Sequence, residues 1–343
     1  MKFGVFDHMD DAGVPLGQLF AERLKLIEAY DRAGLYGYHL AEHHSTPLGC
    51  AASPSLFLAA VAQRTSRLRL GPLVYLLPFY HPLRLIEEVC MLDQLSNGRL
   101  MLGVGRGVSP FETKLYGLDH AKTGAMYHEA FRLLLQGLAS DELTFHGDFY
   151  QFDKVPMLLK PVQRPHPPLW YGTTLPENAD WPAANDVNIV TIALRPIVRT
   201  ITDRYRAVRD KLGKPAGETP LLGVARHVVV AETDEQARAI ARRAYPRWRA
   251  SFRWLFERFG ATPRIAGLYP ETFDELMAIE NGVAGSPRTV RDFVAAEMAA
   301  SRSNYLLSWF AFGDMTLDEQ LTSFELFARD VMPAFAEAPA AVH

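Results

Sequence analysis

The chain has 343 residues, 48% of them hydrophobic and 22% charged, with a formal net charge of -3. That balance is ordinary for a globular protein and leaves no basic surface for nucleic acid. Two cysteines, Cys50 and Cys90, are too few for a disulfide framework or a four-thiolate zinc site, so a reducing compartment, the cytoplasm, is expected.

The opening MKFGVFDHMDD enters an apolar alternation at once and meets an acid at Asp7, which leaves no room for the apolar core of a signal peptide. Its first strand is KFGVFD (2–7). QLFAERLKLIEAYDRAG (18–34) follows as a helix, with Leu19, Arg23, Leu26, Ile27 and Tyr30 at helical spacing and Gly34 closing it. The second and third strands are YGYHLAE (36–42) and RLRLGPLVYLL (67–77). HPLRLIEEVCMLDQLSNG (81–98) reads as a helix that begins at Pro82 and stops at Asn97–Gly98. Five more strands follow: RLMLGVG (99–105), PLWYGT (168–173), VNIVTIAL (187–194), LLGVARHVVVA (221–231) and YLLSWFAF (305–312). No uninterrupted apolar run approaches the roughly 18 residues of a membrane helix, so no membrane span is expected.

Eight β-then-α units predict an α/β chain folded as a (β/α)8 TIM barrel, one domain over 1–336. Two insertions interrupt the repeat. LTFHGDFYQF (143–152) reads as a hairpin around His146–Gly147–Asp148 before the fifth strand. Residues 232–285 form a helical segment after the seventh strand, either a mobile lid over the face where barrels build their sites or an extra packing helix. EAPAAVH (337–343) reads as a frayed tail.

The C-terminal strand ends gather the polar groups: Asp7 and His8, Glu42 to His44, Arg106, Thr173 and Thr174, and Arg195. Neighbours on an extended segment project to opposite sides, so Glu42, His43 and His44 alone do not make a metal site, and no HExxH supplies further ligands. No metal is expected. Proton handling by His43 fits better, because imidazole titrates near neutral pH and a carboxylate can fix its tautomer. The alternative is a hydrogen-bonded structural histidine. In GRLMLGVGRGVSP (98–110), Arg106 offers a planar fork suited to phosphate, although the stretch is neither a P-loop nor a GxGxxG turn. A surface arginine on a tight turn is the competing reading. In YGTTLPENADWPAA (171–184), Thr173, Thr174 and Asn178 stand where a helix begins, as a phosphate cradle or as helix caps. Pro78, Phe79 and Tyr80, with Phe6, Phe57, Trp309 and Phe310, are expected either to widen an apolar mouth for a flat ring and an oily substrate or to pack as core.

Over nearly its whole length, through MKFGVF, AEHH, LPFYHPLRLIEEVCMLDQLSNGRLMLGVGRG, PPLWYGTT and LFARDVMPAF, the chain resembles the luciferase-like flavin monooxygenases, the group that includes bacterial luciferase. The run HP...E...LDQLSNGR...LG.GRG is the most specific part. The resemblance implies a barrel that binds FMN at its C-terminal end, as reduced flavin delivered by a separate flavin reductase. It implies use of O2, through a C4a-peroxyflavin, to oxygenate a small apolar organic substrate. By position, His43 is implicated in catalysis, Arg106 in clasping the flavin phosphate, and Thr173, Thr174 and Asn178 in the second phosphate-binding stretch. A non-prolyl cis peptide behind the flavin ring falls at Leu73–Val74, and a homodimer is implied. Gly105 replaces the cysteine of luciferase, which argues against light emission, and Thr173-Thr174-Leu175 replaces its acidic-serine phosphate motif. The rival expectations are hydride transfer with the deazaflavin F420 on the same fold, flavin binding without turnover and, last, a metal hydrolase.

Overall fold

The structure, a computed structural model, describes residues 1–335; the tail expected at 337–343 lies outside them. β1 (Lys2–Asp7) leads through α1 (Leu16–Ala33) to β2 (Gly37–Leu40), and α2 (Pro54–Arg64) leads to a third strand split into β3 (Arg69–Pro72) and β4 (Tyr75–Leu76). Next come α3 (Pro82–Leu95), β5 (Leu102–Gly105), α4 (Pro110–Leu115), α5 (Thr123–Ala139) and an antiparallel hairpin of β6 (Glu142–His146) and β7 (Gln151–Pro156). The second half runs β8 (Leu169–Gly172), α6 (Asp180–Ala184), β9 (Asn188–Thr191), α7 (Arg195–Lys211) and β10 (Leu222–Val230). It continues with α8 (Asp234–Arg258), α9 (Phe273–Ala278), β11 (Gly282–Gly285), α10 (Pro287–Ser301), β12 (Tyr305–Trp309) and α11 (Leu317–Leu326).

Among the described residues, ten strands form one sheet in the order β3-β2-β1-β12-β10-β9-β8-β5-β4, with β11 attached to β10. Because β3 and β4 are two pieces of one strand, the path returns to its start, and a parallel bridge from Leu70 to Leu100 helps close it. This is the expected (β/α)8 barrel. The expectation of eight strands missed β11. His227 pairs with Trp309 on one side and Gly282 on the other, so β11 takes the flank of β10 that β9 leaves after Val224. Its sequence, GVAG, lacks the β-branched run that marks a strand; the overhang of β10 supplies the partner instead.

Strand alternation sorts the core into two layers. Val5, Tyr38, Leu40, Val224, Val228, Leu306 and Phe310 pack outward against the helices. Phe6, Ala41, Met101, Trp170, Ala225, Val229, Tyr305 and Trp309 fill the inside, together with Tyr245 and Trp248 from α8. The interior is narrow enough to require glycine. A Cβ on Gly4 would lie 1.8 Å from the Tyr305 hydroxyl, and one on Gly71 would lie 2.0 Å from the Met101 carbonyl oxygen. α1 buries the face read from its spacing and ends at Gly34, whose φ of 79° only glycine adopts freely. α8 starts on a capping box between Thr233 and Gln236 and buries Ala237, Ala241, Ala244, Tyr245, Trp248, Ser251 and Leu255. The segment 232–285 therefore combines a packed helix with a sheet strand.

Candidate active site

All barrel strands run parallel, so the residues after their C-terminal ends share one rim. His43 follows β2 there and Arg106 follows β5. The Leu102–Leu169 and Gly103–Trp170 register, carried forward, puts Arg106 level with Thr173.

Around AEHH, two carboxylates do most of the fixing. Glu42 is buried; its Oε1 accepts from His44 Nε2 at 2.7 Å, and its Oε2 accepts the Leu76 N–H and the Tyr80 hydroxyl, each at 3.0 Å. A carboxylate only accepts, so His44 donates from Nε2 and its Nδ1 takes the Tyr116 hydroxyl at 2.7 Å. Glu42 thus ties the end of β2 to β4, beyond the break in the third strand. Glu112 on α4 accepts the His44 N–H at 2.8 Å and lies 3.4 Å from His43 Nδ1. Burial pushes the Glu112 carboxyl up, but the hydrogen bonds and charges of His43 and His44 outweigh it and hold the group below the usual range. His43 keeps about a quarter of its side chain exposed. Gly49 lets the following loop fold over its back, since a Cβ there would come within 2.6 Å of His43 Cβ.

Beside His43 lies His8, with ring centroids 5.6 Å apart. His8 Nδ1 accepts the indole N–H of Trp309 at 3.1 Å and that of Trp248 at 3.4 Å. Burial, reinforced by the neighbouring His43 and His227, holds its pKa well below the ordinary imidazole value. His227 lies beneath, stacked on Trp309 at 4.6 Å and 18°, and burial drives it down to about 3.

On the opposite arc, the peptide bond between Leu73 and Val74 is cis. Gly105 makes room for this bend, because a Cβ there would lie 2.4 Å from Val74 Cγ2. Arg106 is exposed and makes no hydrogen bond or ion pair among the described residues. It is near enough to Tyr171 for its charge to oppose the burial-driven rise of that phenol's pKa. The Thr173 hydroxyl accepts the Leu175 N–H at 3.1 Å and the Asn178 amide at 3.3 Å, so these two residues shape the turn. A short 3-10 turn at Pro176–Ala179 then leads into α6. Thr174, half-buried, is left with a free hydroxyl among the described residues.

Three strand-end residues fall away from the site. Asp7 points outward and binds Arg23, Tyr38 and the Met9 N–H. Arg195 starts α7 and pairs with Glu280 and Glu297. Phe310 packs against Tyr30, Phe324 and Phe327 because it alternates with the inward Trp309. Phe57, on α2, meets Phe20 of α1 and belongs to the helical layer. Phe79 does line the rim, stacked on Tyr116 at 4.7 Å and 5°. Glu112, Tyr116 and Trp248 are partners that sequence reasoning missed. Ser109 caps α4 through the Glu112 N–H, so S-P-F-E carries a helix-start signature, but nothing in it says which strand end the glutamate faces. Among the described residues no three His, Cys, Asp or Glu side chains converge on a metal position, and no helix is long and apolar enough to cross a membrane.

Known proteins resemble this chain over nearly its whole length. The chain is 42% identical over 321 residues to the uncharacterized protein y4wF of Sinorhizobium fredii, covering 94% of this chain and 93% of that one. It is 28% identical over 360 residues to the oxygenase component of the flavin-dependent trigonelline monooxygenase of Acinetobacter baylyi, covering 98% and 96%. The crystal structure of the monooxygenase RslO1 from Streptomyces bottropensis superposes with a TM-score of 0.87 at 27% identity, over 98% of this chain and 100% of that one. Residues 1–303 match the family described as luciferase-like monooxygenase, and the chain belongs to that family.

Proposed function

We propose that this chain is the oxygenase of a two-component system, taking reduced FMN from a separate reductase and using O2 to oxygenate a small apolar organic substrate. One observation carries the reading: Arg106 is an exposed guanidinium without a protein partner among the described residues, on the same rim as His43 and level with Thr173. A guanidinium that faces no carboxylate, with the Thr174 hydroxyl and the Asn178 amide nearby, is a donor set suited to a phosphate. The name of the Acinetobacter relative, an oxygenase component, supports the separate reductase.

Reduced flavin, when bound, supplies the electrons that activate O2. The chain's own residues do the rest. Arg106, Thr174 and the Thr173–Asn178 turn would hold the phosphate, and the Leu73–Val74 bend would lie behind the ring. Glu112 Oε1 faces His43 Nδ1 at 3.4 Å, so in its neutral form His43 with the proton on Nδ1 presents an unprotonated Nε2 to take up or relay a proton. Phe6, Trp248 and Trp309 around His8 keep that corner dry.

The same proposal places the protein in the cytoplasm, in keeping with its free thiols at Cys50 and Cys90, as one barrel domain. It is a homodimer through the exposed apolar side chains Leu56, Met91, Leu95 and Leu158. A Met91→Glu variant should then scatter light as a monomer. The deciding experiment is anaerobic titration with reduced FMN and, separately, reduced F420, followed by O2 uptake in the presence of candidate substrates. Saturable FMN binding with substrate-dependent uptake is expected. Preference for F420 would move the reaction to hydride transfer, and FMN binding without uptake would leave a flavin carrier.

A further inference from the structure

We propose that His8 is a substrate-binding hydrogen-bond donor: a neutral imidazole locked with its proton on Nε2, which recognises an acceptor oxygen on an otherwise apolar substrate. The inference deepens the monooxygenase reading and rests on it for the identity of the ligand, but the tautomer itself is a property of the chain alone.

Two indole N–H groups, from Trp309 on β12 and Trp248 on α8, converge on the same nitrogen, His8 Nδ1. An indole N–H only donates, so that nitrogen must offer a lone pair, and the ring of a neutral histidine then carries its hydrogen on Nε2. Nothing nearby favours the doubly protonated ring. The carboxylates closest in sequence are spent elsewhere: Asp7 on Arg23 and Tyr38, Asp10 on the Gly313 N–H. The groups facing His8 from the packed elements are Phe6 of β1, His43 after β2, His227 of β10, Trp248 of α8 and Trp309 of β12, and none carries a negative charge. Both nitrogens of His227 are sealed in without a partner. His8 Nε2 differs, having no protein partner among the described residues yet not being sealed in, with 8% of the residue exposed.

The neighbouring imidazole is set the other way. His43 has Nδ1 directed at Glu112, so in the neutral ring Nε2 is the acceptor. With centroids 5.6 Å apart, the two rings present one donor and one acceptor to the same small volume. A hydrocarbon would leave the His8 N–H unpaired, whereas a carbonyl or hydroxyl oxygen would satisfy it. The substrate class is therefore a ring or chain compound bearing one oxygen, held so that the oxygen meets His8.

Two measurements test this. Side-chain 15N spectra of the apo protein between pH 5.5 and 8 should show His8 as a single, non-titrating Nε2–H tautomer, and the double variant Trp309→Phe/Trp248→Phe, which removes both indole donors, should release it into a tautomer mixture. A wild-type His8 that is protonated on Nδ1, or that titrates as a free imidazole does, overturns the proposal. Cyclohexanone and methylenecyclohexane, which have the same shape and differ only in the oxygen, should then be titrated into protein loaded with oxidised FMN. Wild type should prefer the ketone by about five-fold or more, His8→Gln should keep part of that preference, and His8→Phe should lose it. Equal binding of the two probes to wild type overturns the recognition role. If wild type fails to bind FMN, the functional reading fails while the tautomer result stands, so the two failures are distinguishable.

Discussion

Glu112 Oε1 serves both histidines of AEHH at once, accepting the His44 N–H at 2.8 Å and facing His43 Nδ1 at 3.4 Å. One oxygen on α4 therefore sets both the path of the loop and the orientation of its exposed imidazole. Glu112→Gln keeps an acceptor for the amide but removes the charge that fixes His43. It should lower kcat by roughly ten-fold or more, within the range usual for acid–base groups, while KM and the unfolding midpoint change little. Steady-state kinetics beside denaturant melts would check this, and unchanged kcat would detach Glu112 from the chemistry.

Arg106 should matter to cofactor affinity rather than to turnover. Charge-assisted hydrogen bonds contribute roughly 1.5–3 kcal/mol, so Arg106→Ala should weaken FMN binding by about 10- to 150-fold. Arg106→Lys should recover only part of that, because it lacks the planar fork. Fluorescence titration reads the effect directly, and a dissociation constant within error of wild type rejects the phosphate role.

Stability should fall on mild acidification. His8, His39 and His227 are held neutral by burial, the last two down to about 3, against about 6.5 for an unfolded imidazole. With the folded pKa below the unfolded one, stability is complete above about pH 6.5 and is lost as pH falls, by up to about 1.4 kcal/mol per unit for each histidine. Asp10 runs the other way. Burial raises its carboxyl to about 7, so it stays protonated in the fold and offsets about one of the three between roughly pH 4 and 6.5. The net slope should be near two protons. Urea midpoints from pH 7.5 to 5 would show it; a flat profile contradicts the buried neutral histidines, and His227→Phe should remove about one proton from the slope.

Two glycines should respond in opposite directions to one methyl group. A Cβ on Gly71 would press against the Met101 carbonyl oxygen at 2.0 Å, and backbone cannot swing aside, so Gly71→Ala should cost about 3 kcal/mol or more. Gly17, in the first turn of α1, has nothing within 4 Å of such a Cβ, and Gly17→Ala should stabilise by up to about 1 kcal/mol. Thermal melts of the pair would separate steric from conformational effects.

The barrel was legible because strand runs and helical spacing are local signals: α1, α3 and the strands up to β10 lie where period and punctuation put them. β11 was not, because its pairing depends on the overhang of a strand distant in sequence. At the rim, strand-end position located His43 and Arg106, but alternation sent Asp7 and Phe310 outward from the same strand ends that hold His8 and Trp309. Glu112 and Trp248 escaped notice for a related reason. Each acts through a partner at least 68 residues away, and no local pattern encodes such a meeting.

The short β11 has a bearing on engineering this scaffold. β10 rises past the end of β9, and the backbone amides and carbonyls that its overhang turns toward Gly282–Gly285 would stand bare without that strand beside them. Trimming away the excursion that carries β11 would thus yield not an open-topped catalyst but a barrel with an adhesive seam, ready to recruit strands from other molecules.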